Sequence, residues 1–434
     1  MRRATLCLAA LVLSLIFSPL ARAGGGPECW RRGGPPALAA LMAEHAEAIQ
    51  RHRDGKPVEN WAKIAADLDA VAAQRDAWAS GLYWYTDLDA AKAAAKREGK
   101  PIVSLRLLGR LDEDLSCANS RYFRTTLYPA AEVSRRMREN FILHWSSERP
   151  VPVVTVDYGD GRKLQRTVTG NSAHYLMTSD GEVVDVLPGL YGAKPFAAWL
   201  DEAGGMAKRV AAMTASDRVA AVKTYHVRER DDVAAQWAAD QRAVGATASA
   251  AVADASGVSS LQGRWITSAA AAGRASGVAS SPVSARRAGE LAISKVMPER
   301  PLVRLVSAAD PKDADEALWA AIANLHIGDA MIDPVAVALI RSKRPSGNFD
   351  TTLLQLRASI AQDTVRNEYT LHRRVHEWFA GASGSLAFEP LNQRVYAELF
   401  LTPRSDPWLG LAPANVWSGL EEDGLTSTVT ASAR

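Results

Sequence analysis

Residues 83–200 carry strand-like and helix-like signals in one fixed order, and that order constrains the chain more than any other feature. Thr86-Asp87-Leu88-Asp89 starts a helix, with Thr86 or Asp87 as its cap, and Gly99 stops it. Pro101 leads a strand over 102–108 that is apolar enough to lie inside a sheet. A polar loop over 109–116 delivers Cys117 to the start of a helix that carries Tyr122, Phe123, Val133 and Met137, with a break at Pro129. Residues 141–145 read as a second strand. Two hairpins follow: 151–157 with 163–168 around Tyr158-Gly159-Asp160-Gly161, and 174–177 with 183–187 around Ser179-Asp180-Gly181. A helix over 194–200 closes the stretch. Strands interleaved with helices point to an α/β domain over 82–204.

The flanks read differently. Residues 24–36 are rich in Gly and Pro and predict a mobile leader. Residues 37–81 predict a helical hairpin, with helices over 36–49 and 58–79 joined by Arg53-Asp54-Gly55-Lys56-Pro57. His45 and His52 are expected to face solvent there. Residues 205–287 form an Ala-rich stretch that starts as helix over 206–241 and then admits either a linker or a helical hairpin. Residues 288–423 predict a mainly helical region, in which 350–380 lack Pro and Gly and read as one helix. Residues 424–434 read as a polar, frayed tail.

The first 23 residues have the make-up of a secretory signal. Arg2 and Arg3 form a basic start, 6–17 an apolar centre, and Ala21-Arg22-Ala23 a small-residue cleavage site. Cleavage would remove three arginines and no acid, taking the net charge of +3 to 0. The basic balance then belongs to export, and nucleic acid is not an expected partner. No later stretch is apolar for long enough to span a bilayer. The expectation is a periplasmic or extracellular protein without stable membrane insertion. Such a mature chain keeps two cysteines, Cys29 and Cys117, which are candidates for a disulfide in an oxidising compartment.

The order Asp87-Leu88-Asp89-Ala90-Ala91, Lys100-Pro101-Ile102-Val103, Cys117, Asn140-Phe141-Ile142 and Asp180-Gly181 resembles thioredoxin-like domains of exported bacterial proteins. The resemblance covers somewhat over a quarter of the chain. It implies a thioredoxin-like fold, thiol–disulfide exchange without a cofactor, and protein or small-molecule thiols and disulfides as partners. The family's motif is Cys-x-x-Cys. Here Cys117 stands at the first cysteine and Ser120 at the second. Ser172, counted back from Asp180-Gly181, stands where the family places a cis-proline. A thiol at a helix N-terminus is favoured as thiolate by the helix dipole, and Arg121 and Arg124 one turn on would push the same way. Without a second cysteine in the motif, Cys29 or an external thiol would have to resolve a mixed disulfide. The alternative is that Cys117 is structural or inert.

A second pattern lies at 365–379. Glu368, His372 and His376 are spaced four apart and fall within an apolar arc of Leu371, Val375, Trp378 and Phe379. Burying them demands partners. A metal ion is one solution, with Glu398 as a conceivable fourth ligand. A buried polar network, with Glu368 bonding a histidine and Arg394 neutralising Glu398, is the other. His144, His174, His226 and His326 read as satisfied core histidines. The residues thus support three functions: an exported thioredoxin-fold protein exchanging disulfides through Cys117, a non-catalytic scaffold on the same fold, or a metal-binding helical domain.

Overall fold

A computed structural model describes residues 27–168, 170–253, 316–343 and 348–409. The signal-like segment, residues 254–287 of the Ala-rich stretch, residues 288–315 and the tail lie outside the described residues.

The chain opens with short helices: α1 (Pro27–Arg32), α2 (Gly34–Glu44), α3 (Ala46–Arg53), α4 (Trp61–Ala72) and α5 (Ala77–Ser80). Three expectations need correction here. The leader is helical from Pro27 onward, with Arg31 donating to the carbonyls of Val71 and Trp84. The second hairpin helix breaks after Ala72, because Ala73 and Asp76 adopt left-handed backbone (φ 51° and 62°). Buried Gln74 explains the break. It accepts from Trp84 Nε1 at 2.8 Å and donates to Ser80 Oγ at 3.0 Å, bonds a continuous helix would not offer it. His52 is not simply solvent-facing: it stacks on Trp61 at 3.8 Å. These helices share a small core of Leu38, Leu41, Ile49, Leu68, Val71 and Trp78.

Next come α6 (Leu88–Glu98), capped by Asp87 accepting from Ala90 N at 2.7 Å, and β1 (Ile102–Leu108). α7 (Ala118–Tyr122) runs into a π-helical turn, Phe123–Leu127, and α8 (Ala131–Asn140) resumes after Pro129. The strands β2 (Ile142–Arg149), β3 (Val153–Asp157), β4 (Lys163–Thr167), β5 (Ser172–Met177) and β6 (Val183–Pro188) follow, then α9 (Ala193–Val210). The main sheet has the order β2-β1-β5-β6. β1 is parallel to β2 and antiparallel to β5, and β5 is antiparallel to β6. Every residue of β1, β5 and β6 is buried. β3 and β4 pair only with each other, as the Gly-rich turn predicts, and leave Val153, Val156 and Tyr158 exposed.

α10 (Ala215–Ala253) begins the C-terminal helices, which continue with α11 (Glu316–Leu325), a 3-10 turn at Ile327–Ala330, and α12 (Pro334–Lys343). α13 (Phe349–Arg366), a π-helical segment Asn367–His372, and α14 (Arg373–Gly381) form one continuous helix, as the lack of Pro and Gly predicts. α15 (Phe388–Arg394) and a π-helical turn, Val395–Leu399, follow. Among the described residues, no helix is long and apolar enough to cross a membrane.

These helices do not form a separate body. Trp319, Ile322, Ile360, Val365, Trp378, Phe379 and Val395 share one continuous core with Trp84, Tyr128, Tyr175 and Phe196 of the α/β part. Each such side chain contributes roughly 1.5–3 kcal/mol by burial. Polar contacts set the register. Gly192 N donates to Thr364 Oγ1 at 2.8 Å, and Asn367 Nδ2 donates to Leu190 O at 2.9 Å. Gly189 has φ +90°, and a Cβ there would sit 2.5 Å from Asn367 Nδ2, so the turn after β6 admits the π-helical segment because it lacks a side chain.

Candidate functional site

Cys117 occupies the N-cap of α7. β1 runs to Leu108, the loop turns back, and Cys117 N donates to Leu108 O at 3.2 Å. Sγ accepts from Ser120 N at 3.5 Å, lies 3.1 Å from Ser172 Oγ, and lies 3.5 Å from Ser120 Oγ. The sequence therefore brought three of its expected site residues together. The fourth, Arg121, turns aside: its Nη1 donates to Ser116 O at 2.7 Å and Thr167 Oγ1 at 2.6 Å. Arg124 is spent on Asp76 and on Asp114 O. Neither guanidinium hydrogen-bonds the sulfur.

The sulfur is sealed. Cys117 is 0% exposed. Residues from the far end of the chain close over it: Tyr396 Oη donates to Asn171 O at 3.3 Å, and Asn171 Nδ2 donates to Thr402 Oγ1 at 2.9 Å. Arg149 fastens the same segment through the carbonyls of Asp406 and Thr402. The turn-rich stretch after Leu399 is thus a clamp. The expected pairing of Cys29 with Cys117 is not formed: both are free, Cys29 exposed and Cys117 buried. Cys29 sits on α1, whose partner is α4, on the outer helical layer.

The second constellation is richer than its sequence pattern. The apolar arc of α13–α14 packs on β6 and α10, and this recruits Asp185 and His226. His372 Nδ1 lies 3.0 Å from Glu368 Oε2, and its Nε2 lies 3.4 Å from Asp185 Oδ1. Both acceptors are carboxylates, so His372 sits there as imidazolium. Burial opposes that charge, but Glu368 and Asp185 override it and lift the imidazole to about 10. Burial also opposes ionisation of Asp185, yet the His372 charge holds its carboxyl well below the usual carboxylate range. Oδ1 of Asp185 also accepts from Val186 N at 2.7 Å; Oδ2 accepts from Trp199 Nε1 and Tyr225 Oη, both at 3.0 Å.

His226 and His376 complete the cluster, with Nδ1 atoms 2.7 Å apart. His226 Nε2 lies 2.8 Å from Val184 O, a carbonyl that can only accept. His226 therefore carries its proton on Nε2, and His376 must donate from Nδ1. Burial, followed by the charge on His372, pushes His376 well below the usual histidine range. One ligand atom each from Asp185, His372 and His376 lies within 4.8 Å of the others, the group of described residues best placed to hold a metal ion. Glu368, expected as a ligand, stands behind His372 instead. Glu398 is exposed and paired with Arg394 at 3.0 Å, so it is no ligand.

Asp185 is the residue that sequence reasoning missed. Its signal was present: one carboxylate inside the apolar run Val183-Val184-Asp185-Val186-Leu187. His144 and His174 are satisfied by Ser104 and Tyr128, as expected of core histidines, whereas His326, bonded to Asp240, is only half-buried. No protein-family model, no curated protein and no solved structure matches this chain.

Proposed function

We propose that the chain is an exported protein whose residues 82–204 form a thioredoxin-like domain kept as a scaffold, not as a thiol–disulfide exchange centre. Three features support the thioredoxin-like part: the order β2-β1-β5-β6 with β5 antiparallel to its neighbours, a cysteine at the helix start after β1, and Ser172 facing that cysteine from the start of β5. The hairpin β3–β4 stands where a helix would otherwise connect β2 to β5. Export is supported by the make-up of residues 1–23, and the N-terminus of the mature protein, read by mass spectrometry, tests it.

One observation carries the scaffold reading. Exchange begins with a thiolate meeting a disulfide sulfur in line, so it needs an approach path. Cys117 has none while 396–406 lie across Asn171 and Arg149. Its sulfur instead fills the position of a cap and core atom. The test is alkylation of the native Cys29→Ser chain. Cys117 should react only after unfolding, and Cys117→Ala should leave any disulfide-exchange activity unchanged. Rapid native alkylation, together with exchange activity lost in Cys117→Ala, would restore the redox reading.

A further inference from the structure

We propose that Asp185, His372 and His376 bind a divalent transition-metal ion that pins the C-terminal helices to the sheet. The three come from β6, the π-helical segment and α14, so one ion would tie together elements distant in sequence. The set, two imidazoles and a carboxylate, suits zinc, cobalt(II) or iron(II) and not a hard ion such as calcium.

The ligands are close enough, but proximity is only half of the argument. The other half is what stands behind each one. Metal-bound histidines donate their second nitrogen to a carboxylate or other acceptor, which fixes ring orientation. His372 Nδ1 meets Glu368 Oε2 at 3.0 Å, and His376 Nδ1 meets His226 Nδ1 at 2.7 Å. Those contacts leave Nε2 of each ring as the ligand atom. Behind Asp185, Trp199 Nε1 and Tyr225 Oη hold Oδ2, which leaves Oδ1 towards His372. Each proposed ligand therefore has an outer partner on the atom that an ion would not use. His226 is held in turn by Val184 O and stacks on Phe379 at 4.1 Å. One ligand atom of each residue lies within 4.8 Å of the others, a grouping that a purely structural network would not require.

The charge also suits a cation. Two carboxyl groups, those of Asp185 and Glu368, face the His372 ring from its two nitrogens. Binding releases the Nε2 proton of His372 to solvent, and the carboxylates then balance the ion. A groove lined by Val184, Val222, Phe379 and Leu386 lies next to His226, which bonds Val184 O and stacks on Phe379.

The experiment uses the full, tag-free Cys29→Ser chain, stripped with chelator and titrated with Co(II) and then Zn(II). One Co(II) per chain is expected, with d–d absorption of a low-coordinate site that stoichiometric Zn(II) displaces. His376→Gln should abolish that spectrum. Glu368→Gln, which leaves all three ligands in place, should weaken binding by about 10–100-fold. His326→Gln, at a half-buried histidine outside the cluster, should bind as the parent does. Absence of stoichiometric Co(II) and Zn(II) binding by the folded chain would overturn the proposal. So would binding that His376→Gln and Glu368→Gln both leave unchanged. If His376→Gln fails to fold, Glu368→Gln decides alone. The scaffold reading stands or falls on Cys117 and is independent of either outcome.

Discussion

Asp185→Asn is the substitution with the most to say about this molecule. The amide has the shape of the carboxylate but one acceptor oxygen instead of two. Asp185 accepts from Val186 N and faces His372 through Oδ1, and accepts from Trp199 and Tyr225 through Oδ2. Whichever way the amide turns, its NH2 group meets donors. Leaving a buried polar group unsatisfied costs roughly 1–3 kcal/mol. Removing one partner of a buried ion pair costs roughly 3–5 kcal/mol, because the remaining charge is stranded. The two costs overlap, so the expected loss is about 3–5 kcal/mol in total and not their sum. The assay is urea unfolding at neutral pH with chelator present, read by midpoint at constant slope. Glu368→Gln is the comparison: its side chain is 32% exposed, so water can replace part of its interaction and its loss should be smaller than that of Asp185→Asn. An Asp185→Asn variant as stable as the Glu368→Gln variant would refute the idea that this carboxylate anchors the C-terminal helices.

Other predictions rest on separate parts of the fold. A Cβ on Gly192 would lie 2.5 Å from Asp329 O, so Gly192→Ala should cost about 1–3 kcal/mol and raise hydrogen exchange in the 3-10 turn at Ile327–Ala330; unchanged exchange there would sink this. Arg124→Met removes the buried partner of Asp76, which keeps Lys343 at 2.8 Å, and should cost about 3 kcal/mol in denaturant titration; a loss under about 1 kcal/mol would mean Lys343 suffices. Burial pushes Asp69 up to about 7, from an ordinary 3.8. With the folded value raised, its contribution is present below pH 3.8 and lost as pH rises through 7. Asp69→Asn should therefore gain stability relative to the parent between pH 4 and 7, and a flat difference would contradict it. His174, driven down to about 3 by burial, has the opposite sense: its contribution is present above 6.5 and lost as pH falls towards 3.

Local chemistry was legible in the sequence wherever it decided the outcome. The Asp87 cap, the buried run of β1, both glycine-turned hairpins and the helix start at Cys117 all lie where their residues predict. The long helix through Glu368, His372 and His376 was legible too, as was the pairing of Glu368 with a histidine. What escaped was decided by tertiary contacts that local propensity and spacing do not encode. The break after Ala72 depends on Trp84 reaching Gln74, which no helix propensity encodes. The sealing of Cys117 depends on Tyr396 and Thr402, more than 200 residues away. Arg121 was expected to bias the thiol because helical spacing places it nearby, but Ser116 O and Thr167 offered it better acceptors.

The separation of Asp185 from its partners also has a consequence in time. His372 follows Asp185 by 187 residues. At roughly 5–20 residues per second of synthesis, β6 emerges about 10–40 s before the segment that neutralises its carboxylate. Throughout that interval the newborn sheet carries an apolar strand with an unmatched charge, and of its side-chain partners Trp199 and Tyr225 arrive early enough to shield it. A chain that stops before residue 372 would leave that carboxylate without its imidazolium partner.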